Sequence, residues 1–146
     1  MRRRARSAGR LWIAGWIAWW GLWALITLPW GASEPDPQWD RVEWVPFQFG
    51  LLRDAVLNFL FFVPFGMLAA RGRRARRAIA AAALVSMATE LIQLYGAGRY
   101  PSATDIVVNV AGAAAGAACL RRWRATSAAA RSSPDPIPPS ATSRPR

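Results

Sequence analysis

Apolar residues fall into four long runs along this chain, and segments rich in arginine, proline or glycine separate the runs. The first run extends from Leu11 to Trp30, about 20 residues, the length that an α-helix needs to cross a hydrocarbon core of about 30 Å. The other three runs have about 16–18 residues each, which flanking residues or local bilayer thinning can accommodate. They are Ala55–Ala70, Ala78–Tyr95 and Thr104–Leu120. The pattern predicts an all-α fold, an integral-membrane bundle of four transmembrane helices.

The first run follows a basic segment and must be distinguished from a secretory signal. Residues 1–10 contain five arginines, as the start of a signal peptide would, but the apolar run is too long for a cleaved signal. The best small-residue junction, at Gly31 and Ala32, is preceded by Trp30, where cleavage needs a small side chain. We predict an uncleaved first span.

Charges in the loops predict the orientation of the spans. Residues 1–10 carry five arginines, the loop 71–77 carries five more, and three follow the last run. The loop 31–53 has four acidic residues against two arginines, and the loop 96–103 has only Arg99. Because arginine is enriched in cytoplasmic loops, we predict a multi-pass protein of the plasma membrane with both termini in the cytoplasm. The loops 31–53 and 96–103 are then outside.

Composition narrows the classes of function. The 146 residues suffice for one domain, and 53% hydrophobic content with nine tryptophans is high for a soluble one. All 19 basic residues are arginine and the net charge is +11, a balance that often indicates a nucleic-acid partner. Here the arginines cluster between apolar runs, so we expect the lipid bilayer and no nucleic acid. The absence of histidine and the single Cys119 exclude the usual zinc ligands, and we expect no metal and no cofactor.

The segments outside the spans differ in character. We divide the chain into a basic cytoplasmic N-terminus (1–10), a membrane domain (11–124) and a tail (125–146). The tail contains five prolines among serine and alanine, buries too little apolar surface to offset its ordering entropy, and is predicted to be disordered in the cytoplasm. The loop 31–53 also contains prolines, but its aromatic residues predict a segment that lies in the interface on the outer side of the plasma membrane. They are Trp39, Trp44, Phe47 and Phe49.

Three pairs of polar residues interrupt the last three runs. An ionisable group inside a span costs about 2.5–3.5 kcal/mol on insertion scales, so it marks a functional site by default. On the predicted topology all six residues fall in the outer third of the bundle, with Arg99 in the loop above them. The pairs are Asp54 with Asn58, Glu90 with Gln93, and Asp105 with Asn109.

Helical spacing relates these residues to helix packing. The members of each pair are three or four residues apart and share a helix face. Gly112 and Gly116 continue the stripe of the last pair and form a small-xxx-small pattern, which lets membrane helices approach closely. Pro64 and Gly66 lie inside the second span, where a proline kink is tolerated in a bundle. We predict these four residues as packing positions in a bundle that opens towards the outside.

Two interpretations of the polar residues remain open. As a packing seam, the amides cross-link helices and Arg99 pairs with Asp105 or Glu90. As a binding site, the charged residues line one outward-facing cavity and the amides support it. Removing one charged member, as in Arg99→Ala, then costs about 3–5 kcal/mol if its partner stays buried and charged. That site comprises Asp54, Asn58, Glu90, Gln93, Arg99, Asp105 and Asn109. Three acids with three amides exceed what the register of four helices requires, which favours a site.

Tryptophans form a second stripe, in the first span. They recur at intervals of four, three and four residues, so they share one helix face. Such a stripe favours helix packing or lipid contact over stacking on a ligand. The residues are Trp12, Trp16, Trp19 and Trp23, with Trp20 beside them.

The ordered series of motifs resembles the VanZ-like family of small bacterial integral-membrane proteins, over residues 50–120. The series is Asp54-x-x-x-Asn58-x-x-Phe61-x-x-Pro64-x-Gly66, Glu90-Leu-Ile-Gln93, Arg99, and Asp105-x-x-x-Asn109-x-x-Gly112-x-x-x-Gly116. The resemblance implies a helical bundle in the bacterial inner membrane. The family's founding member is associated with low-level resistance to the glycopeptide teicoplanin, whose target is a lipid-linked cell-wall precursor outside the membrane.

Three functional interpretations follow. The favoured one is a non-enzymatic envelope protein that binds the headgroup of a lipid or lipid-linked glycan, such as a cell-wall precursor, and alters antibiotic access. The second is an enzyme acting on such a lipid, in which Glu90 or Asp105 is a general base, or the acids hold Mg²⁺ and Arg99 binds a phosphate. The third is a purely structural assembly partner.

Overall fold

The computed structural model describes residues 2–28, 33–47, 52–72 and 75–132. Within these ranges the chain forms four α-helices and no β-strand, which confirms the all-α prediction. Each helix overlaps one of the four apolar runs. The helices are α1 (Arg2–Thr27), α2 (Leu52–Ala69), α3 (Ala75–Gln93) and α4 (Ala103–Ser132), with 3₁₀ turns at Trp39–Arg41 and Ala70–Gly72.

Two of the four helices are long and apolar enough to cross a membrane. They are α2, over Leu52–Ala69, and α4, over Ala103–Arg131. The first turns of α1 and α3 contain arginines, and α3 also carries Glu90 near its end, so each has a shorter charge-free section. Length and composition alone therefore support two of the four predicted spans.

Glycine brings α2 and α4 into direct backbone contact. A Cβ atom built on Gly66, Gly112 or Gly116 would overlap a carbonyl group of the facing helix. Gly112 meets Phe59, and Gly116, one turn further along α4, meets Val63, one turn further along α2, so the two helices run parallel. Small residues allow such close approach because no side chain separates the backbones.

Pro64 lies inside α2, which continues as one helix from Leu52 to Ala69. The residue is exposed on the outside of the bundle. The proline therefore faces away from α4. In that position its missing N–H and its ring do not disturb the glycine contact between α2 and α4.

The tryptophan stripe packs α1 against α2 and α3. Trp19 is buried and its ring contacts three phenylalanines of α2. Each buried or half-buried indole N–H needs an acceptor, and these residues find theirs on the neighbouring helices. Trp12 donates to the Leu68 carbonyl at 3.2 Å, Trp19 to the Phe61 carbonyl at 3.1 Å, and Trp23 to the Thr89 hydroxyl at 3.0 Å. Trp19 comes later in α1 than Trp12, but its partner Phe61 comes earlier in α2 than Leu68. The two helices are therefore antiparallel.

The core lies where all four helices meet. Three aromatic side chains, Trp19, Phe62 and Phe65, pack against Ala82 of α3 and Ala113 of α4. The small residues on α3 and α4 leave room for the large rings of α1 and α2. The large and small side chains thus complement one another in the core.

Charged residues divide between the two ends of the bundle. One end, here called the polar end, contains the N-termini of α2 and α4 and the segment between α3 and α4. Every acidic residue in the described ranges belongs to this end. The opposite end, here called the arginine end, contains the N-termini of α1 and α3 and the C-terminal part of α4, and Arg71 lies over the ring of Trp12 there at 5.8 Å from the centroid.

Residues 33–47, here called the cap, cross the polar end and pair with the segment that joins α3 to α4. A short antiparallel bridge joins Ser33 to Gly96, and a parallel bridge joins Glu43 to Ser102. Four backbone hydrogen bonds of 2.8–3.0 Å hold the cap in place. They link Glu34 N to Tyr95 O, Gln38 N to Leu94 O, Glu43 N to Pro101 O, and Ala103 N to Glu43 O. Phe49, which the sequence assigns to the membrane interface, lies outside the described residues.

Helix α4 extends beyond the boundary expected for the tail. The sequence predicts disorder from Ala125 onwards, whereas the helix continues to Ser132. Half of the added residues are alanine, which has the highest helix propensity. Extending an existing helix also needs no new nucleation. The rest of the predicted tail, residues 133–146, lies outside the described ranges.

Candidate functional site

Glu90 is the one acidic residue that is buried in the described part of the chain, with 7% of its surface exposed. It lies near the C-terminal end of α3. Its carboxylate oxygen Oε2 accepts a hydrogen bond from the backbone N–H of Ser102 at 2.7 Å. A backbone N–H bonded to a carboxylate is a charge-assisted hydrogen bond, stronger than a neutral one.

Ser102 connects this carboxylate to the start of α4. Its hydroxyl oxygen accepts a hydrogen bond from the backbone N–H of Thr104 at 3.2 Å, which makes Ser102 the N-cap of the helix. The hydroxyl of Thr104 in turn accepts a hydrogen bond from Phe47 N at 2.8 Å, at the end of the cap. Glu90, the cap and α4 are therefore fixed relative to one another.

Asp105 lies in the first turn of α4, close to other acids. The side chain of Asn58 on α2 donates a hydrogen bond to its carboxylate, and Asp54 and Glu43 are near enough to interact with it electrostatically. Asp105 also lies within electrostatic range of Glu90. The structure thus brings together Asp54, Asn58, Glu90 and Asp105 at the polar end.

Asn109 lies one turn deeper in α4 than Asp105. It is almost completely buried, with 2% of its surface exposed, and its amide Nδ2 donates to the hydroxyl of Ser86 on α3 at 2.9 Å. Its carbonyl oxygen Oδ1 has no hydrogen-bond partner among the described residues. Asn109 joins α3 to α4 below the acidic residues.

Arg99 does not join the acidic residues. It is exposed, and its guanidinium donates to the carbonyl of Ile26, near the C-terminal end of α1, at 3.0 Å. In the described ranges no ion pair links it to Glu90 or Asp105, so the pairing considered from the sequence is not formed. Arginine satisfies the free carbonyls that a helix C-terminus leaves. Gln93, in the last turn of α3, is half-buried.

A pocket of about 150 Å³ opens between α3, α4 and the cap. Of the seven residues predicted for the site, Glu90 alone lines it. The wall is otherwise apolar, with two tryptophans from the cap and aliphatic side chains from α3 and α4. Its other lining residues are Trp39, Val42, Trp44, Met87, Leu91, Leu94, Pro101, Ser102, Ala103 and Ile106.

Several residues that line the pocket or bond to the predicted site residues were not predicted from the sequence. Trp39 and Trp44 were assigned to the membrane interface, because their distance in sequence from Glu90 hides their proximity in space. Ser102 carries a local signal, since a serine just before an apolar helical run is a typical N-cap. Ser86 carries none, because a serine inside an alanine-rich run has no distinguishing pattern.

The acidic residues of the described ranges do not form a metal-binding group. In the described part of the chain no three histidine, cysteine, aspartate or glutamate side chains are placed to hold a metal ion together. Glu90 is the one charged residue among those that line the pocket, and no arginine lines it.

The family model for VanZ/LLP1 matches residues 12–124. The chain belongs to the VanZ/LLP1 family. The match covers the described helices from Trp12 to Arg124, and it confirms the resemblance predicted from the motif series. No curated protein and no solved structure matches the chain, so the geometry of this VanZ/LLP1 protein carries the functional argument.

Proposed function

We propose that this VanZ/LLP1 protein spans the membrane four times and binds, at its outward-facing polar end, the headgroup of a lipid or lipid-linked glycan. The observation that carries the proposal is the pocket between α3, α4 and the cap. Its exposed lining is apolar, and the buried residue Glu90 is among the residues that form its wall. Ligand sites are typically apolar clefts with a few placed polar groups.

The exterior of the bundle supports a membrane location. Large aliphatic side chains are exposed on all four helices, for example Leu11, Leu60, Leu84 and Val107, whereas the interior contact of α2 with α4 uses glycine. A soluble protein rarely exposes apolar surface so widely. In lipid this surface is solvated by acyl chains, and the helices satisfy their own backbone groups.

The shorter helices α1 and α3 also fit a membrane. The charge-free part of α1, from Leu11 to Thr27, has about 17 residues, the lower limit for a span. α3 is charge-free from Ala78 to Thr89, and Glu90 then faces the protein interior rather than lipid. A locally thinned bilayer accommodates both helices.

The distribution of charge supports the orientation. Arginines concentrate at the arginine end and the described acids at the polar end. By the positive-inside rule the arginine end lies in the cytoplasm, which leaves the pocket on the outer side, where lipid-linked glycans are exposed for cell-wall synthesis.

The pocket is continuous with the surface that would face lipid. Met87 and Leu91 line the pocket and are also about half exposed on α3. An acyl or isoprenoid chain lying along these residues would place its polar end beside Glu90 and the cap. The pocket therefore suits an amphiphile that stays in the bilayer.

Filling the pocket tests this function. In Met87→Trp an indole would project from the pocket wall, while Leu84→Trp places the same ring on the exposed face of α3, outside the pocket. Native mass spectrometry of the protein extracted from membranes should detect bound amphiphile in the wild type and in Leu84→Trp, and a loss in Met87→Trp. Equal retention by all three proteins contradicts the proposal. Conversion of the amphiphile to a product during incubation would favour the enzyme interpretation instead.

The proposal also includes an effect on antibiotic tolerance. The family link to glycopeptide resistance leads us to expect that expression in a susceptible Gram-positive host raises tolerance to teicoplanin more than to vancomycin, because an acyl chain concentrates teicoplanin at the membrane surface. Glu90→Gln should abolish the effect, and deletion of residues 125–146 should not. Unchanged tolerance in cells that demonstrably insert the protein would remove resistance from its function.

A further inference from the structure

Another pocket, of about 320 Å³, lies at the arginine end, where the turn after α2 and the start of α3 meet the C-terminal part of α4. We call it the arginine pocket. Its volume falls in the range of small-molecule sites, about 300–1,000 Å³, and its lining exposes polar as well as apolar surface. Two arginines and three alanines line it: Arg121, Arg124, Ala125, Ala70 and Ala75.

Small side chains form one side of the arginine pocket. Ala70 is buried and packs with Ala78, Ala117 and Leu120 in a core cluster, and Ala75 packs against the same cluster. The pocket therefore borders directly on the packed interior of the bundle. Because three of its five lining residues are alanine, volume remains there for a ligand.

The two arginines that line the pocket share one face of α4. Arg121 and Arg124 are three residues apart, so their side chains extend from the same side of the helix. Neither side chain has a hydrogen-bond or ion-pair partner among the described residues, and every acidic residue in those ranges belongs to the polar end. No described residue neutralises their charge. A guanidinium group presents several N–H donors in a fixed geometry that matches a phosphate.

The start of α3 adds to the positive potential of the arginine pocket. Ala75, which lines the pocket, is the first residue of this 19-residue helix. The first N–H groups of a helix have no acceptor within it, and the N-terminus carries a partial positive charge. Both effects favour a bound phosphate. An anion in the pocket would thus meet positive potential from α3 as well as from α4.

Two exposed tryptophans indicate the depth of the arginine pocket in the membrane. Trp123 directly precedes Arg124 and is 64% exposed. Trp12, also exposed, donates to the carbonyl of Leu68, two residues before Ala70. Exposed tryptophans are enriched where the bilayer meets water, at the level of the headgroups. In the orientation proposed above, the pocket is therefore level with the headgroups of the cytoplasmic leaflet.

We propose that the arginine pocket binds the phosphate group of an anionic lipid of the cytoplasmic leaflet. The guanidinium groups of Arg121 and Arg124 donate to the phosphate oxygens, and the acyl chains extend along the exposed apolar surface of the bundle. Basic pockets between helices at the cytoplasmic face recognise anionic headgroups in this way. The site is separate from the pocket at the polar end, and it rests on the proposed membrane location and orientation.

Three probes separate recognition of an anionic lipid from binding of free phosphate. Dihexanoyl-phosphatidylglycerol, dihexanoyl-phosphatidylcholine and inorganic phosphate are titrated by calorimetry into the full-length protein in neutral maltoside micelles, with protein-free micelles as blanks. The phosphatidylglycerol should bind at least about fivefold more tightly than the phosphatidylcholine, whose choline cation is repelled by the arginines. Inorganic phosphate has no chains to lie along the bundle and should bind more weakly than the phosphatidylglycerol.

Charge variants assign the preference to the arginine pocket. Arg121→Gln and Arg124→Gln should each weaken phosphatidylglycerol binding about fivefold, the contribution of one arginine near a membrane surface. Arg122→Gln is the matched control, because it removes the same charge from an exposed position of α4 outside the pocket lining. It should change the affinity by less than about twofold, since solvent and salt screen a charge that does not contact the ligand.

A second pair of variants tests the volume of the arginine pocket without changing its charge. Ala125→Leu places a larger side chain in the lining and should weaken phosphatidylglycerol binding. Ala130→Leu makes the same substitution at an exposed position of α4 outside the pocket and should leave the affinity unchanged. Leucine is close to alanine in helix propensity, and circular dichroism shows whether each variant keeps its helix content.

Several outcomes would overturn this assignment. Equal affinity for the two lipids, or inorganic phosphate that binds as tightly as the phosphatidylglycerol, overturns the selection of an anionic lipid. A loss in Arg122→Gln equal to that in Arg121→Gln, or unchanged binding in folded Arg124→Gln and Ala125→Leu, indicates diffuse surface charge and overturns the role of the pocket. None of these results changes the proposed headgroup binding at the polar end, which Met87→Trp tests separately.

Discussion

Replacing Gly116 with alanine should destabilise the bundle, because the α2–α4 contact leaves no space for a methyl group. The added Cβ would overlap the carbonyl of Val63 and would lie 3.1 Å from the backbone N of Met67. These are backbone atoms, which cannot rotate aside as a side chain does, so the two helices must separate. Overpacking costs about 1–3 kcal/mol, and a backbone obstacle places this substitution at the upper end.

Helix propensity acts in the opposite direction and sets the net value. Alanine is favoured over glycine inside a helix by about 1 kcal/mol, so we expect a net loss of about 2 kcal/mol in the free energy of unfolding. Gly21→Ala is the matched control, because no atom lies within 4 Å of a Cβ built at Gly21. That variant gains the propensity without the clash and should be unchanged or more stable by up to about 1 kcal/mol.

The assay is reversible unfolding in mixed micelles at increasing mole fraction of dodecyl sulfate, followed by circular dichroism. The two alanine variants should unfold at clearly different dodecyl sulfate contents, with Gly116→Ala below and Gly21→Ala at or above the wild type. Equal unfolding free energies for the two variants would refute the close α2–α4 contact and the register that pairs Gly116 with Val63.

Two further predictions use the same assay. Trp19→Phe should lower the free energy of unfolding by about 1–2 kcal/mol, because Trp19 is 4% exposed and its indole donates to the Phe61 carbonyl, which would lose this donor. Trp20→Phe, at a residue that is 42% exposed, should lower it much less. Equal losses in the two variants would contradict the packing of the tryptophan stripe. Arg99→Ala should cost only about 1 kcal/mol, the value of one exposed hydrogen bond to Ile26 O. A loss of 3 kcal/mol or more would instead indicate that Arg99 neutralises a buried acid.

Local pattern was sufficient to predict the helices and the seam between them. The apolar runs give the helix count, and the spacing of Gly112 and Gly116 identifies the face of α4 that meets α2. These features can be predicted from the sequence because residues three or four positions apart lie on the same face of a helix. The sequence places the end of α4 too early, because the prolines from Pro134 onwards favour disorder over the helix-forming alanines that precede them.

Contacts between distant segments were not predictable in the same way. The pairing of the cap with the α3–α4 segment consists mainly of backbone hydrogen bonds, which leave almost no sequence signal. The sequence therefore located Glu90 and Asp105 at one end but could not show that Trp39 and Trp44 line a pocket together with Glu90. Nor could it show that Arg99 turns to α1, since a loop arginine has several acceptors within reach.

The orientation of the pocket is tested most directly by cysteine accessibility in intact cells. Cys119 is exposed and unpaired, so it is first changed to serine, and single cysteines are then introduced at Ser33, in the cap, and at Ser127, near the end of α4. A membrane-impermeant maleimide should label position 33 in intact cells and position 127 only after permeabilisation. Labelling of position 127 in intact cells, with position 33 protected until permeabilisation, would place the pocket in the cytoplasm and contradict an outward-facing headgroup site.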